Sequence, residues 1–393
     1  MTAALSLRQR LADELVDNGT IHHPWVRQAF ADVPREVFVP RFHRPYPGNG
    51  LLDAADPLQH DEWLNQVYTD QVLVVQYISA PDMPGAGAPT SSSSQPTVMA
   101  GMLEALDLQP DHRVLEIGTG TGYHAALLCH RVGAANVTSI ELDPTLVGAA
   151  RDALASLGLH PTIHTGDGAA GLATAAPFDR IIATAAADHI PCAWIDQLAP
   201  GGALVVDLRG SVSGSLIRLT ATHDPEVDAV HGRFLHLPGA FMPLRTRTDR
   251  PHRDGEDWDT IVYDHRNPQR ATTDVNPRLV NDNPTLRFLT QLHLAGHRVR
   301  LARHTTPTAE LTGRATDTSW FSTSLRPDDN GHYTVQQAGP QRLWDTVEAA
   351  HTTWTRLGKP PIEQFGVTAT DDVNHQYVWH DHPDSGYRWP LPL

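Results

Sequence analysis

Apolar residues recur at helical spacing near the N-terminus of the chain. Leucines and a valine form an approximate stripe over residues 4–17, which predicts a first helix, and a second short helix is predicted over residues 24–31. The chain between residues 45 and 94 is rich in proline, glycine and serine. Within it we expect one ordered piece over residues 63–77 and a flexible tract over residues 81–94, which is either disordered or a lid.

From residue 95 onward, strand-like apolar runs alternate with segments of helical periodicity. Such alternation is typical of a parallel sheet covered by helices. The predicted strands cover residues 113–117, 136–141, 162–164, 180–184, 203–208 and 215–222. The predicted helices cover residues 96–106, 123–132, 144–157 and 190–198.

The alternating pattern fades after about residue 245, and the polar, charged stretch that follows to residue 259 is expected to be a linker or an edge segment. The remainder contains strand-like fragments, several aromatic residues and a predicted helix over residues 341–357. We therefore predict an α/β protein with an additional C-terminal α+β domain. The predicted parts are an N-terminal helical segment with a lid (1–94), a core (95–246) and a C-terminal extension (247–393).

Composition and charge narrow the classes of function. The 393 residues carry a formal net charge of -15, which disfavours a nucleic-acid partner. The two cysteines, Cys129 and Cys192, are too few for a disulfide framework and fit a reducing compartment. The N-terminus lacks the apolar stretch of a signal peptide, and no run reaches the roughly 18 apolar residues of a membrane span. We expect a cytoplasmic protein with no membrane partner.

Three glycines at alternate positions, Gly118, Gly120 and Gly122, follow the strand predicted at residues 113–117 and precede a predicted helix. Glycine permits a tight turn and a close approach of backbone amides to a ligand, and the start of a helix adds free N–H groups. This arrangement indicates a nucleotide-like ligand. A simple glycine turn is the alternative interpretation.

Acidic residues near the ends of the predicted strands narrow the choice of ligand. Glu141 ends the next strand, at about the distance along the chain from the glycine loop at which a carboxylate can accept hydrogen bonds from both ribose hydroxyls. It could instead cap the following helix. Asp167, within Gly166-Asp167-Gly168, could accept a hydrogen bond from the amino group of an adenine, or the three residues could simply form a tight turn. Glu116 lies just before the glycine loop. A carboxylate there would attract a ligand with a cationic amino-acid end, such as S-adenosylmethionine, and would repel the pyrophosphate of NAD(P). S-adenosylmethionine is therefore favoured over NAD(P).

Several further motifs occur together with this loop between residues 5 and 246. They are residues 19–21, 33–40, Ser94-Gln95-Pro96, Gly166-Asp167-Gly168, 178–187, 200–202 and 239–244. In this order they resemble the protein-L-isoaspartate O-methyltransferase family. The resemblance implies a Rossmann-like class I methyltransferase fold with a parallel-dominated central sheet. It also implies that S-adenosylmethionine is the donor, S-adenosylhomocysteine the product, and a peptide carboxylate the acceptor.

The resemblance also implies the residues of the site. The cofactor-binding residues would be Glu116, Gly118, Thr119, Gly120, Gly122, Tyr123, Glu141, Leu142, Gly166, Asp167, Gly168 and Thr184. Ser94 would be the catalytic residue, beside the methyl group and the acceptor carboxylate, although a serine before Gln-Pro is also a good helix cap. The substrate-binding residues would be Tyr68, Ser92, Ser93, Ala185 and Ala186.

Two features depart from the family pattern, since the chain continues well beyond Leu244 and the segment before Ser94 is long. Together with residues 67–70, 90–96 and 339–345, they resemble the long methyltransferases associated with ribosomally made peptides, encoded beside ATP-grasp ligases (graspetides) or lanthipeptide enzymes. This resemblance implies methylation of an aspartate in a cyclised precursor peptide, followed by aspartimide formation. General repair of isoaspartyl residues is the alternative.

Arginines in the extension suit an acidic peptide. Arg298, Arg300 and Arg303 form a strand-like basic set, and we expect Arg298 and Arg300 to bind substrate; a solvated strand face is the alternative. We predict no metal site, because neither His22-His23 nor the pair in residues 380–382 has a third ligand at metal-site spacing. A catalytically silent binding module and an NAD-dependent oxidoreductase are the remaining alternatives, and the oligomeric state is not specified by the sequence.

Overall fold

The computed structural model describes residues 2–44, 50–77, 89–222, 229–246, 261–294, 296–305 and 309–393. The helices are α1 (Ala3–Asp17), α2 (Pro24–Asp32), α3 (Arg35–Phe38), α4 (His60–Val67), α5 (Pro96–Leu106), α6 (Tyr123–Val132), α7 (Pro144–Ser156), α8 (Cys192–Asp196), α9 (Pro277–Asp282), α10 (Pro284–His293) and α11 (Leu343–Arg356). The strands are β1 (Arg41–His43), β2 (Leu51–Asp53), β3 (Leu73–Tyr77), β4 (Pro89–Ser93), β5 (Val114–Ile117), β6 (Val137–Glu141), β7 (Thr162–Thr165), β8 (Phe178–Ala187), β9 (Leu198–Arg209), β10 (Gly214–Ala221), β11 (Ala229–Phe234), β12 (Gln269–Thr273), β13 (Val299–His304), β14 (Glu310–Ala315), β15 (Trp320–Ser324), β16 (Tyr333–Ala338), β17 (Phe365–Thr370), β18 (Tyr377–His380) and β19 (Arg388–Pro390).

A ten-stranded sheet with the order β19-β18-β17-β11-β10-β9-β8-β5-β6-β7 forms the centre of the molecule. Strands β9, β8, β5, β6 and β7 are mutually parallel, and the strands beyond β9 pair antiparallel. Every residue of β5 and β6 is buried, as expected for parallel strands covered by helices on both faces. The predicted α/β class is confirmed.

Most predicted elements of the core coincide with observed ones. Helices α5 and α6 have the predicted bounds, whereas the helix predicted over residues 190–198 is shorter and ends at Asp196. It ends there because Leu198 already pairs with Phe178 at the start of β9. Of the apolar residues that suggested the longer helix, Trp194 and Ile195 lie in α8, whereas Leu198 belongs to the strand.

The C-terminal extension adds strands to the central sheet. Strand β17 pairs antiparallel with β11, and β18 and β19 continue the sheet outward. Strands β12 to β16 form a separate five-stranded antiparallel sheet. One buried apolar cluster contains core residues such as Phe234 together with extension residues such as Phe288 and Phe365. The predicted division at residue 246 stays a prediction, but the two sides of it share one hydrophobic core.

The N-terminal part consists of α1 to α4 and two hairpins, β1–β2 and β3–β4. The tract predicted to be flexible is ordered over residues 89–93, where Ser91 and Ser93 turn inward from β4. Residues 81–88 of that tract, and residues 247–260 with most of the predicted linker, lie outside the described residues. None of the helices in the described ranges has the length and apolar character needed to cross a bilayer.

Candidate functional site

A cavity of about 320 Å³ lies at the carboxyl ends of β5, β6 and β8. Its walls come from the β3–β4 hairpin, the start of α5, the glycine loop with the start of α6, and residues 240–245. Most predicted cofactor-binding residues line it, namely Gly118, Thr119, Gly120, Tyr123, Glu141, Leu142, Gly168 and Thr184. The carboxyl end of a parallel sheet is where α/β folds place their ligands.

The glycine loop has the backbone conformation that its sequence requires. Gly118, Gly120 and Gly122 have φ values of 91°, 52° and 86°, in the region that favours glycine. A Cβ atom on Gly118 would lie 2.8 Å from the hydroxyl oxygen of Thr184. That hydroxyl donates to the Gly118 carbonyl oxygen at 2.6 Å and so holds the loop against β8. The absence of side chains leaves this side of the cavity open to a ligand.

Glu141 is fixed against the loop at the edge of the cavity. Its carboxylate accepts hydrogen bonds from the backbone N–H of Gly120 at 2.9 Å and from that of Asp143 at 3.1 Å. The alternative role as a helix cap falls instead to Asp143, whose carboxylate accepts from the N–H of Thr145. A carboxylate that is buried, oriented and adjacent to the loop suits a pair of ribose hydroxyls.

Four residues predicted to bind the cofactor do not line the cavity: Glu116, Gly122, Gly166 and Asp167. Gly122 begins α6 and packs against Ala150 of α7, where a Cβ atom would lie 3.0 Å from the alanine side chain. The Asp167 carboxylate accepts from the N–H of Ala169 and caps a short turn, the structural role that the sequence left open. These residues shape the walls behind the cavity rather than its surface.

Glu116 occupies a different position from the one its sequence context suggested. The side chain is fully buried behind the glycine loop, where its carboxylate pairs with Nδ1 of His124 at 2.8 Å and accepts from the hydroxyl of Ser139 at 2.5 Å. It therefore cannot touch the amino-acid end of a ligand. His124, which sequence analysis did not select, lines the cavity instead.

Arg35 is fully buried beneath the predicted catalytic serine and was also missed by sequence analysis, although it lies in a motif of the family resemblance. Its guanidinium donates to the carbonyl oxygens of Val67, Thr69, Gln71, Ser93 and Ser94 and to the hydroxyl of Ser93. Burial lowers the pKa of Arg35 to about 10, so the group stays charged near neutral pH. One side chain thus ties α3, the end of α4 and the Ser94 turn together.

Ser94 lies in the wall of the cavity, at the turn between β4 and α5. Asp70 holds the far side of this turn, since its carboxylate accepts from the N–H and hydroxyl of Thr97 and from the amide of Gln95. Gln95 is the capping residue of α5, so Ser94 does not cap that helix. Its hydroxyl has no hydrogen-bond partner in the described ranges and is available to a ligand.

The predicted substrate-binding residues separate into two groups. Ser92, Ser93 and Ala185 line the cavity, whereas the backbone of Ala186 pairs with residues 242 and 244 beside it. Tyr68 was predicted at the site but lies in the core, 1 % exposed, with its hydroxyl donating to Glu36. Burial therefore prevents Tyr68 from contacting a substrate in this conformation.

The extension contributes no wall to the cavity over the ranges that the structure describes, because all lining residues precede residue 246. Arg298 directly precedes β13, an edge strand of the second sheet, and Arg300 lies on it; both side chains are exposed. Arg303 lies on the same strand and pairs with Asp282 at 3.4 Å. A substrate-binding role for Arg298 and Arg300 stays a prediction and would require a peptide that extends beyond the cavity.

Comparison with known proteins agrees with this geometry. The sequence model of the protein-L-isoaspartate(D-aspartate) O-methyltransferase family matches residues 6–233. Protein-L-isoaspartate O-methyltransferase 1 of Anaeromyxobacter sp. (strain Fw109-5) is 39% identical over 227 residues, which are 56% of this chain and 91% of that protein. Protein-L-isoaspartate O-methyltransferase of Ignicoccus hospitalis is 34% identical over 239 residues, 60% of this chain and 96% of its own length.

A solved structure extends the likeness of fold to nearly the whole chain. A protein-L-isoaspartate O-methyltransferase aligns with 95% of this chain and 100% of its own length, with a TM-score of 0.52 and 22% identity. This match confirms the class I methyltransferase fold and shows that a similar overall fold occurs elsewhere with the additional C-terminal part. The chain is an S-adenosylmethionine-dependent carboxyl O-methyltransferase that belongs to the protein-L-isoaspartate(D-aspartate) O-methyltransferase family.

Proposed function

We propose that the chain methylates the α-carboxylate of L-isoaspartyl residues in peptides and proteins. The observation that supports this proposal is the rigidly held Ser94 turn, whose unpartnered hydroxyl shares one cavity with the glycine loop. The names of the curated relatives favour the same acceptor. When bound, S-adenosylmethionine supplies an electrophilic methyl group on a positively charged sulfur.

The residues of the chain have little proton transfer to perform. The acceptor carboxylate is already ionised near neutral pH, so no general base is needed. Orientation and exclusion of water can then account for most of the rate, and proximity is worth about 7–11 kcal/mol in favourable systems. Ser94 would donate a hydrogen bond that orients the carboxylate. Thr184 holds the glycine loop, and Glu141 would accept hydrogen bonds from the ribose.

An aspartate in a ribosomally made, cyclised precursor peptide is the second candidate acceptor, and sequence analysis favours it. The exposed Arg298 and Arg300 on and beside β13 support it, because they suit an acidic peptide. The backbone nitrogen after the methylated aspartate would then attack the ester carbonyl and expel methanol, closing an aspartimide. The extension alone does not discriminate, since a solved protein-L-isoaspartate O-methyltransferase aligns with nearly the whole chain.

Transfer of labelled methyl groups to three peptides tests the acceptor. The peptides are one with an isoaspartyl residue, the same peptide with ordinary aspartate, and a cyclised acidic peptide. We expect turnover with the first and little with the second. Turnover confined to the cyclised peptide, with a mass gain of one methyl followed by loss of methanol, would support the second candidate and reject the first.

Ser94→Ala is expected to lower kcat by about 100-fold, because the acceptor carboxylate loses the donor that orients it. Affinity for S-adenosylhomocysteine should stay within twofold, since the backbone contacts of the turn to Arg35 and Asp70 do not involve the serine hydroxyl. Steady-state kinetics with an isoaspartyl peptide and calorimetry with the product measure the two effects. Unchanged kcat would remove the serine from the reaction.

Glu141→Gln is expected to weaken S-adenosylhomocysteine binding about tenfold. The amide cannot reproduce the carboxylate that accepts from Gly120 and Asp143 while also facing the cavity. Glu62→Gln is a suitable control, because Glu62 is a solvent-exposed partner of Arg44 and does not line the cavity. Calorimetry on both variants checks the result, and equal affinities for the two would contradict a ribose-binding role.

A further inference from the structure

A buried chain of polar side chains runs beneath the glycine loop. The hydroxyls of Thr119 and Ser139 lie 2.6 Å apart, Ser139 donates to Glu116, and Glu116 pairs with Nδ1 of His124. All four side chains are buried, and both ends of the chain, Thr119 and His124, line the cavity.

His124 has one ring nitrogen without a partner. The residue is only 5 % exposed, and its Nε2 atom has no hydrogen-bond partner in the part of the chain that the structure describes. The two nitrogens of an imidazole point in widely different directions. Since Nδ1 is directed at Glu116 behind the loop, and the ring lines the cavity, Nε2 lies on the side away from Glu116. A buried polar atom without a partner is costly unless a bound ligand supplies one.

The charges around His124 favour an acceptor on that ligand. Glu116 is 0 % exposed, and its side chain pairs with Nδ1 of His124, which leaves Nε2 to interact with a ligand. His124 is also the second residue of the ten-residue helix α6, whose N-terminal N–H groups favour an anion.

We propose that His124 binds the carboxylate of the amino-acid end of S-adenosylmethionine through its Nε2–H group. In the proposed function the ribose is bound by Glu141, at the end of β6, and Leu142 and Gly168 also line the cavity. Ser94, Gln95 and His124 line the same cavity, and the methyl group must lie near Ser94 to reach the proposed acceptor. The inference depends on the cofactor and not on which peptide is methylated.

The first test compares two adenosine ligands by calorimetry on His124→Ala. S-adenosylhomocysteine carries the amino-acid end, whereas 5′-methylthioadenosine lacks it. We expect about tenfold weaker binding of the first and unchanged binding of the second. His130→Ala is the matched control, because His130 lies on the same helix, pairs with Asp32 and does not line the cavity. It should bind both ligands like the unmodified protein.

Equal weakening of both ligands by His124→Ala would show that the histidine only supports the fold, and unchanged S-adenosylhomocysteine binding would show that it makes no contact; either result overturns the proposal. His124→Gln, whose amide can place a donor near the Nε2 position, should recover part of the lost affinity.

Decarboxylated S-adenosylmethionine then tests the group that is bound. We expect His124→Ala to weaken the intact cofactor but not the decarboxylated one. A similar loss with both would place the histidine at the amino group instead and overturn the assignment to the carboxylate. These binding measurements need no peptide, so a wrong acceptor in the proposed function would leave them unaffected.

Discussion

Arg35→Met is expected to lower the free energy of unfolding by at least about 3 kcal/mol, because four buried or partly buried carbonyl oxygens would lose this charged donor at once. Methionine fills a similar volume but cannot donate to the carbonyl oxygens of Val67, Thr69, Gln71 and Ser94. Denaturant unfolding followed by circular dichroism measures the change. The folded fraction should also methylate poorly, since the same hydrogen bonds hold the Ser94 turn.

Arg113→Met is the matched control for this experiment. Arg113 also donates to two carbonyl oxygens, those of Pro177 and Ala175, but its side chain is exposed and water can replace it there. We expect a change below about 1 kcal/mol. The loss of stability caused by Arg35→Lys should lie between those of Arg35→Met and Arg113→Met, because lysine keeps a positive charge but its ammonium group cannot reproduce the planar arrangement of guanidinium donors. Similar stabilities for Arg35→Met and Arg113→Met would contradict the role given to burial.

The part of the cavity wall that the glycine loop forms could be predicted from the sequence because its signals are local. The glycines that need positive φ, the strand before them and the helix after them lie within 20 residues of one another. Glu141 could be placed as well, because the carboxyl ends of adjacent parallel strands meet at one edge of a sheet. Local patterning and topology together fix these positions without any knowledge of side-chain contacts.

Side-chain hydrogen bonds between distant segments could not be predicted in the same way. Arg35 and Ser94 are 59 positions apart, and no periodicity links an arginine on a short helix to a turn before another helix. The prediction that Glu116 faces the ligand used only its charge. In the structure its carboxylate pairs instead with His124, eight positions away on α6. The sequence signal that could have indicated this pair is an acidic residue in a strand and a histidine eight positions later, at the start of the helix that follows the glycine loop.

The pairing of the extension with the central sheet also joins residues that are far apart in the sequence. Strand β17 pairs with β11 across more than 130 residues, and each strand is short. Alternating burial in such strands predicts a half-buried face, but it does not specify the partner strand. The sequence alone therefore could not show that β17 covers the edge of β11.

A chain shortened after residue 246 is expected to be insoluble, although it contains all of the residues that line the cavity. Removing β17 would expose the hydrogen-bonding edge of β11, over the five residue pairs from Ala229 to Arg233. It would also uncover Phe234, whose ring packs 4.7 Å from that of Phe288 between ring centres. Expression of the shortened chain, followed by size-exclusion chromatography, measures the outcome.

Val367→Asp tests the pairing of β17 with β11 within the full-length chain. Val367 is fully buried at the centre of β17, opposite Gly232 of β11, so a carboxylate there would lose its hydration without gaining a partner. We expect a loss of several kcal/mol of stability, whereas His231→Asp, at an exposed position of β11, should cost less than about 1 kcal/mol. If the shortened chain is monomeric and binds S-adenosylhomocysteine, and Val367→Asp leaves the melting temperature unchanged, the extension is an independent domain. The shared sheet would then add nothing to the stability of the methyltransferase core.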